Sequence, residues 1–149
     1  MVELHRFEIL PNVGDGLIDS RGESIRRQLE SDHSVSIRSV RSTLGYLVKA
    51  QFTENEKNRA ATELFSDPVL EEVSINSPIL ESSKFTSLPD ISILIGFKPG
   101  VTDNRAQAAL DGLQTLFPTH EKIAVSTTIG YHFWDVPSDP VSYTHLTLP

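Results

Sequence analysis

The feature that most constrains this chain is that part of its sequence occurs twice. Segment 7–21 recurs as segment 91–105, with equivalent residues 84 positions apart (103 minus 19 for the two aspartates). Further along, Gly45-Tyr46 corresponds to Gly130-Tyr131 at an offset of 85, so one residue has been inserted. An internal repeat limits the possible architectures, because each copy should fold into the same unit. The repeat predicts a duplicated supersecondary unit whose second copy stops early.

Both copies begin with the same local signals. Residues 4–10 and 91–97 are predicted strands, and in the second one the apolar residues alternate with a period of two. A glycine-containing turn follows each strand, and Asp19 or Asp103 then stands where a helix N-cap is expected. Helix one should bury Ile18, Gly22, Ile25 and Leu29, and its counterpart Ala106, Ala109, Leu110, Leu113, Leu116 and Phe117.

The rest of the first copy predicts two more strands, a helix and a final strand. Segments 35–41 and 44–52 have the pattern of a hairpin. The capping box Thr53-Glu54-Asn55-Glu56 starts a helix that stops before Asp67-Pro68, and a strand at about 69–75 completes β-α-β-β-α-β. The expected fold is therefore α+β: a tandem pair of such units with antiparallel sheets and helices on one face. The first repeat covers residues 1–76, the linker 77–90, and the incomplete second repeat 91–140.

Residues 141–149 carry a different signal. Their back-translation is similar to a transposon-end adapter used in sequencing libraries, although the same residues also alternate as a strand would. We interpret them as a translated artefact and expect the natural protein to continue past Pro140.

Composition excludes several classes of function. A net charge of −7 disfavours nucleic acid and anionic membranes as partners, and the absence of cysteine excludes disulfides and thiol catalysis. The N-terminus has no long apolar run, so the sequence predicts a soluble, cytoplasmic protein.

Candidate chemical residues are few. The histidines at 5, 33, 120 and 132 lack a metal-ligand spacing, so they are interpreted as surface or strand-edge residues. No nucleophile elbow or phosphate loop is present, so no catalytic, cofactor-binding or metal residue is predicted. The turn before each helix could hold an anion, but the capping aspartates already occupy that end. The motif residues Gly16, Asp19, Arg21, Gly100, Asp103, Arg105, Asp67 and Pro68 are therefore predicted to be structural.

These motifs, at this order and spacing, resemble a known family. Segment 95–104 (IGFKPGVTDN) and the run Leu64-Phe65-Ser66-Asp67-Pro68-Val69 are similar to the PurS-type module of phosphoribosylformylglycinamidine synthase. Two such modules in tandem resemble the N-terminal part of the fused PurS–PurL enzymes. The first copy departs from the pattern, because segment 11–16 (PNVGDG) replaces the neater Lys-Pro-Gly-Val.

The resemblance implies a role in the ATP- and glutamine-dependent amidation of formylglycinamide ribonucleotide during purine synthesis. In that family the PurS module is not catalytic; it bridges the synthetase, here expected in cis, and the glutaminase. ATP and Mg²⁺ would be bound by the parent enzyme and not by this part. The two copies are expected to form an internal pseudo-dimer, and the uncovered second copy is expected to favour self-association.

Two other functions remain open at this stage. A tandem β-α-β-β-α-β unit also suits ACT-like domains, which sense amino acids and share the topology. A stand-alone interaction domain that uses its sheet edge is the third possibility.

Overall fold

The computed structural model describes residues 2–33, 36–81 and 85–136; the expected artefact at 141–149 lies outside this range. The described part has an α+β fold with one antiparallel sheet. Its elements, in chain order, are β1 (Glu3–Pro11), α1 (Ser20–His33), β2 (Ser39–Ala50), α2 (Glu54–Arg59) continued by a π-helical segment (Ala60–Phe65), β3 (Glu71–Ile75), a 3₁₀ turn (Ile79–Glu81), β4 (Ile91–Gly96), α3 (Asn104–Leu116) and β5 (Ala124–Trp134).

The sheet runs in the order β3-β1-β2-β5-β4, and every neighbouring pair is antiparallel. The two longest strands, β2 and β5, lie at the centre and pair from Ser39–Trp134 to Lys49–Ala124. Strands from the two repeats thus share one continuous sheet, and β3 and β4 form its edges.

The predicted hairpin at 35–41 and 44–52 is wrong, because β2 is one uninterrupted strand. The physical reason lies in the sequence between the two segments: Ser42-Thr43 provides neither glycine nor proline nor asparagine for a tight turn. The alternation also continues through it, since Val40, Ser42 and Leu44 share one face. The first unit is therefore β-α-β-α-β rather than β-α-β-β-α-β.

All three helices cover the same face of the sheet, as expected, and two of them, α1 and α3, also contact the other repeat. The α1 residues Ile25 and Leu29 belong to a core cluster that includes Phe133, with Ile91 and Ile93 beside it. The α3 residues belong to a second cluster with strand and helix residues of the first repeat. That second cluster comprises Phe7, Ile9, Val48, Ala50, Ala60, Ala61, Phe65, Ala109, Leu113 and Phe117. Helices α1 and α3 therefore each pack on the central strand of their own repeat and also reach residues of the other.

Burial of the helices agrees with the sequence pattern at most positions. Gly22, Ile25 and Leu29 are buried in α1, whereas Ile18 is exposed because it precedes the helix and lies in the turn. In α3 and just beyond it, four of the six expected residues are buried, and Leu110 and Leu116 are partly exposed.

The central pair of strands has an approximate twofold relation. Leu44 pairs with Ile129, which is its equivalent at the offset of 85. The neighbouring positions on the two strands also match. A Cβ atom on Gly45 would lie 2.3 Å from the Thr128 hydroxyl, and a Cβ atom on Gly130 would lie 2.5 Å from the Thr43 hydroxyl. Glycine is needed at both positions because a neighbouring threonine fills the space of a side chain.

The outer strands match less closely. Phe7 pairs with Tyr46, but Tyr131 pairs with Ile93 and not with Ile91, the expected equivalent of Phe7. The turn before α1 contains a small bridge between Gly14 and Leu17, whereas the turn before α3 is closed by one bond from Val101 to Lys98. The tighter second turn accounts for the two-residue shift of β4.

The described parts of the segment between the repeats, on either side of residues 82–84, contact the face of the sheet without helices. At its start, the backbone N–H of Ile79 donates to Glu8 (3.2 Å). At its end, Phe85 stacks on Trp134 with ring centroids 5.1 Å apart, and Trp134 donates to the Ser87 carbonyl. The described parts of this linker therefore cover polar residues of the sheet.

Candidate functional site

The two repeated turns have the backbone geometry that their glycines allow. Gly16 has φ of +87° and Gly100 φ of +85°, a region that residues with a side chain rarely adopt. In the second turn, Pro99 and Gly100 occupy the two central positions between Lys98 and Val101, whose backbone groups are bonded at 3.1 Å. Both turns deliver the chain to an aspartate at the start of a helix.

Asp19 joins the start of α1 to the central strand β2. Its buried carboxylate accepts a bond from the N–H of Gly22 (3.0 Å) and from both the N–H and the hydroxyl of Ser42 (2.6 Å each). The guanidinium of Arg41 lies 3.5 Å away. The carboxylate is therefore fully engaged by the protein.

Asp103 makes the same set of contacts in the second repeat. It accepts from the N–H of Ala106 (2.9 Å) and from the N–H and hydroxyl of Thr127 on β5 (2.9 Å). Thr127 is the equivalent of Ser42 at the offset of 85. We call the contacts of Asp19 with Ser42 and of Asp103 with Thr127 the Asp–hydroxyl junctions. The N–H groups that would bind an anion at each helix start already donate to these aspartates, so both have the capping role that the sequence indicates.

The other motif residues lie in different surroundings. The Arg105 guanidinium lies 5.3 Å from the centre of the Tyr46 ring, whereas Arg21 is exposed. Asp67 accepts bonds from the N–H groups of Val69 (2.9 Å) and Leu70 (3.2 Å) and thereby closes the turn that contains Pro68. These residues shape turns and helix contacts and do not converge on one cavity.

A separate cluster surrounds His132 beneath the linker. The imidazole is bonded to the Thr43 hydroxyl on β2 (2.9 Å) and to the Ser92 hydroxyl on β4 (2.8 Å), so it connects three strands. It borders a cavity of about 180 Å³ that Leu80 and Leu94 also line. Burial lowers the pKa of His132 to about 4, so the ring is neutral near pH 7.

This arrangement contains a serine beside a histidine but lacks the properties of an activated nucleophile. A general base works best with a pKa near the operating pH, and its orienting partner is usually a carboxylate. Here the pKa of His132 is about 4, and the group on its other nitrogen is the hydroxyl of Thr43. The cluster acts as a neutral cross-link.

Two further histidines lie at the opposite end of the sheet. His5 is buried and stacks on the ring of Phe52. His120 contacts the same Phe52 ring edge-on and is bonded to the Glu56 carboxylate (2.6 Å). The pKa of Glu56 lies below its usual value. The main cause is the hydrogen bond that its carboxylate accepts from the backbone N–H of Thr53, and the bond with His120 lowers the pKa further. The expectation that all these histidines lie at the surface or strand edge is wrong for His5 and His132.

One signal in the sequence could have identified His132. Its equivalent in the first repeat is Leu47, so a titratable group replaces an apolar one at a matched strand position. Its burial depends on the linker, which crosses that face of the sheet, and no local pattern indicates this crossing.

Within the described residues, no group of acidic, histidine or cysteine side chains is arranged to hold a metal ion. Over the same residues, none of the helices combines the length and apolar character that crossing a bilayer requires. Comparison with known proteins found no matching family model, curated protein or solved structure.

Proposed function

We propose that this chain is a non-catalytic assembly region of phosphoribosylformylglycinamidine synthase, built from two PurS-like repeats. The observation that carries the proposal is the register of the central strands, which pair about Leu44 and Ile129 as two copies of one strand would. A shared sheet of this kind is the form that a fused pseudo-dimer takes.

Matching contacts support the duplication. The Asp19–Ser42 and Asp103–Thr127 junctions use the same atoms, and Gly45 and Gly130 each face a threonine of the other repeat. Two matched pairs of features of this type are difficult to obtain from unrelated segments, because each depends on several positions being occupied together. The two-residue shift of β4 is the main difference between the halves.

A bridging role needs surfaces and rigidity rather than reacting groups. The continuous sheet is fixed by helices on one face and by linker contacts on the other, so it holds its edges at a defined separation. In this proposal ATP, Mg²⁺ and glutamine are handled by the synthetase domain in cis and by the glutaminase, and the complex works in the cytoplasm.

The experiment is an amidation assay with the synthetase and glutaminase of the source organism, prepared without their PurS part. Addition of the chain should raise the glutamine-dependent rate and leave the ammonia-dependent rate unchanged, because free ammonia needs no bridge. The variant Asp19→Ala/Asp103→Ala removes both junctions and should lose this effect together with its fold, as followed by circular dichroism, whereas Ser24→Ala, at an exposed position of α1, should retain both. An unchanged glutamine-dependent rate would overturn the bridging role.

The ACT-like alternative shares its expected topology with the PurS-like unit. The single strand β2 departs from both, so it does not separate the two functions. Stabilisation of the chain by an amino acid in a thermal-shift screen would favour that alternative.

A further inference from the structure

Among the residues that the structure describes, none pairs with the outer edge of β4, and the strand itself has no feature that blocks pairing. Its six residues, Ile91-Ser92-Ile93-Leu94-Ile95-Gly96, include neither a charge nor a proline. The opposite edge, β3, begins with Glu71-Glu72. Natural edge strands are commonly blocked by charges, prolines or bulges, because unpaired backbone groups accept another strand. Of the two edges, β4 is the one suited to pairing.

Apolar side chains at this edge are exposed to solvent. Leu94 is 56% exposed, Ile95 37% and Phe97 52%, and Val101 in the following turn is 54% exposed. On the other half of the molecule, the equivalent strand β1 is covered by the π-helical segment and paired with β3. The β4 side therefore presents apolar surface that its counterpart buries.

The charges that flank β4 indicate which partner fits. Asp90 precedes the strand and Lys98 follows it. If two copies of β4 pair antiparallel with Leu94 opposite Leu94, each Asp90 lies opposite the Lys98 of the other copy. The same register places Ile93 opposite Ile95, and opposite charges and apolar pairs both stabilise cross-strand positions.

We propose that two copies of this chain associate through β4, pairing antiparallel about Leu94 and extending the sheet across both molecules. The central β2–β5 pair already joins the two halves of one chain by the same kind of symmetric antiparallel pairing. The occupant of the edge is a second copy because strand β4 is complementary to itself in both apolar residues and flanking charge. This pairing concerns the 149-residue chain, because in the longer polypeptide of the proposed function a strand equivalent to β3 would pair with this edge instead.

The test is the oligomeric state of the full 149-residue chain, measured by sedimentation velocity over a range of concentrations. The wild-type chain should dimerise, and Leu94→Lys should weaken the dimer strongly, because it places two like charges together at the centre. Val69→Lys is the matched control, since Val69 is also an exposed apolar residue but lies in the turn before β3.

A charge exchange tests the register itself. Asp90→Lys and Lys98→Asp should each weaken dimerisation by about tenfold or more, because each creates two like-charge pairs worth in total about 1.4 kcal/mol. The double variant restores opposite charges and should recover most of the affinity. Circular dichroism of each variant separates this effect from unfolding, since Asp90 also accepts a bond from the N–H of Val136.

A monomeric wild-type chain would overturn the proposal and leave the β4 edge for a strand of another protein or of a longer polypeptide. A dimer that tolerates Leu94→Lys would overturn it equally, because the contact would then lie elsewhere. Failure of the double charge exchange to recover affinity, with the fold intact, would refute the register about Leu94.

Discussion

Asp19 and Asp103 make equivalent hydrogen bonds but are buried to different extents, and the two should therefore differ in their contribution to the free energy of unfolding. Asp19 is 5% exposed and has Arg41 beside it, whereas Asp103 is partly exposed. Loss of an N-cap costs about 1 kcal/mol, and a bond to a charged group adds about 1.5–3 kcal/mol. We expect Asp19→Ala to lower the free energy of unfolding by about 3 kcal/mol and Asp103→Ala by about 2 kcal/mol, as measured by urea titration. Equal values, or a larger loss for Asp103→Ala, would contradict the assigned junctions.

His132 should make the stability of the chain depend on pH in the mildly acidic range. Its pKa falls from an ordinary 6.5 to about 4 on burial, so between these values the unfolded chain binds a proton that the folded chain does not. The contribution is fully present above pH 6.5 and decreases as the pH falls toward 4. The urea midpoint should therefore drop between pH 7 and pH 4.5, and the drop should be smaller in His132→Gln. His33→Gln is the control, and an equal reduction there would argue against His132 as the source.

For individual residues, the sequence predicted side chains whose partners are near in the sequence and missed contacts with partners far along the chain. The caps Asp19 and Asp103 were recognisable because their first contacts lie three residues away, at Gly22 and Ala106. The bonds to Ser42 and Thr127 depend on which strand runs beside the helix. The burial of His132 depends on a linker that returns over the sheet, and residue patterns within a strand do not carry that information.

Among the elements, the pair formed by β2 and β5 is the one most sensitive to side-chain size. A Cβ at Gly45 would lie 2.3 Å from the Thr128 hydroxyl, so Gly45→Ala should destabilise the fold by about 1–3 kcal/mol through overcrowding. Thr128→Ala in the same chain removes that oxygen and should recover most of the loss. Gly96→Ala is the control, because its nearest neighbour would be 3.7 Å away. Equal urea midpoints for Gly45→Ala and Gly96→Ala would contradict the close contact.

The same pair of strands shows why the hairpin prediction failed while the helices were predicted correctly. A capping box or a proline marks a helix end within a few residues, as at Thr53 and Pro118. A long strand and a hairpin can share the same alternation, and the choice depends on whether a neighbour is available along the whole length. β5 supplies that neighbour for β2, and its contribution is absent from the local sequence.

For the whole molecule, the shared core predicts a single unfolding transition. The α1 residues Ile25 and Leu29 pack with Phe133, so neither repeat can lose its sheet while the other keeps its helix contacts. Fluorescence of Trp134, the single tryptophan, reports the second repeat, and far-ultraviolet circular dichroism reports the whole chain. Their urea transitions should coincide. Separate midpoints would show that the repeats fold as independent domains.

One consequence concerns how the two halves can diverge. In an assembly of two identical subunits, any substitution appears on both sides of the symmetry axis, so a change that suits one side must be tolerated on the other. Here one polypeptide encodes both sides of the axis at Leu44 and Ile129. His132, which bonds to Thr43 and Ser92, lies at the position matched by Leu47, so the two halves carry different groups there. A single gene for both halves therefore permits asymmetric specialisation within a symmetric frame.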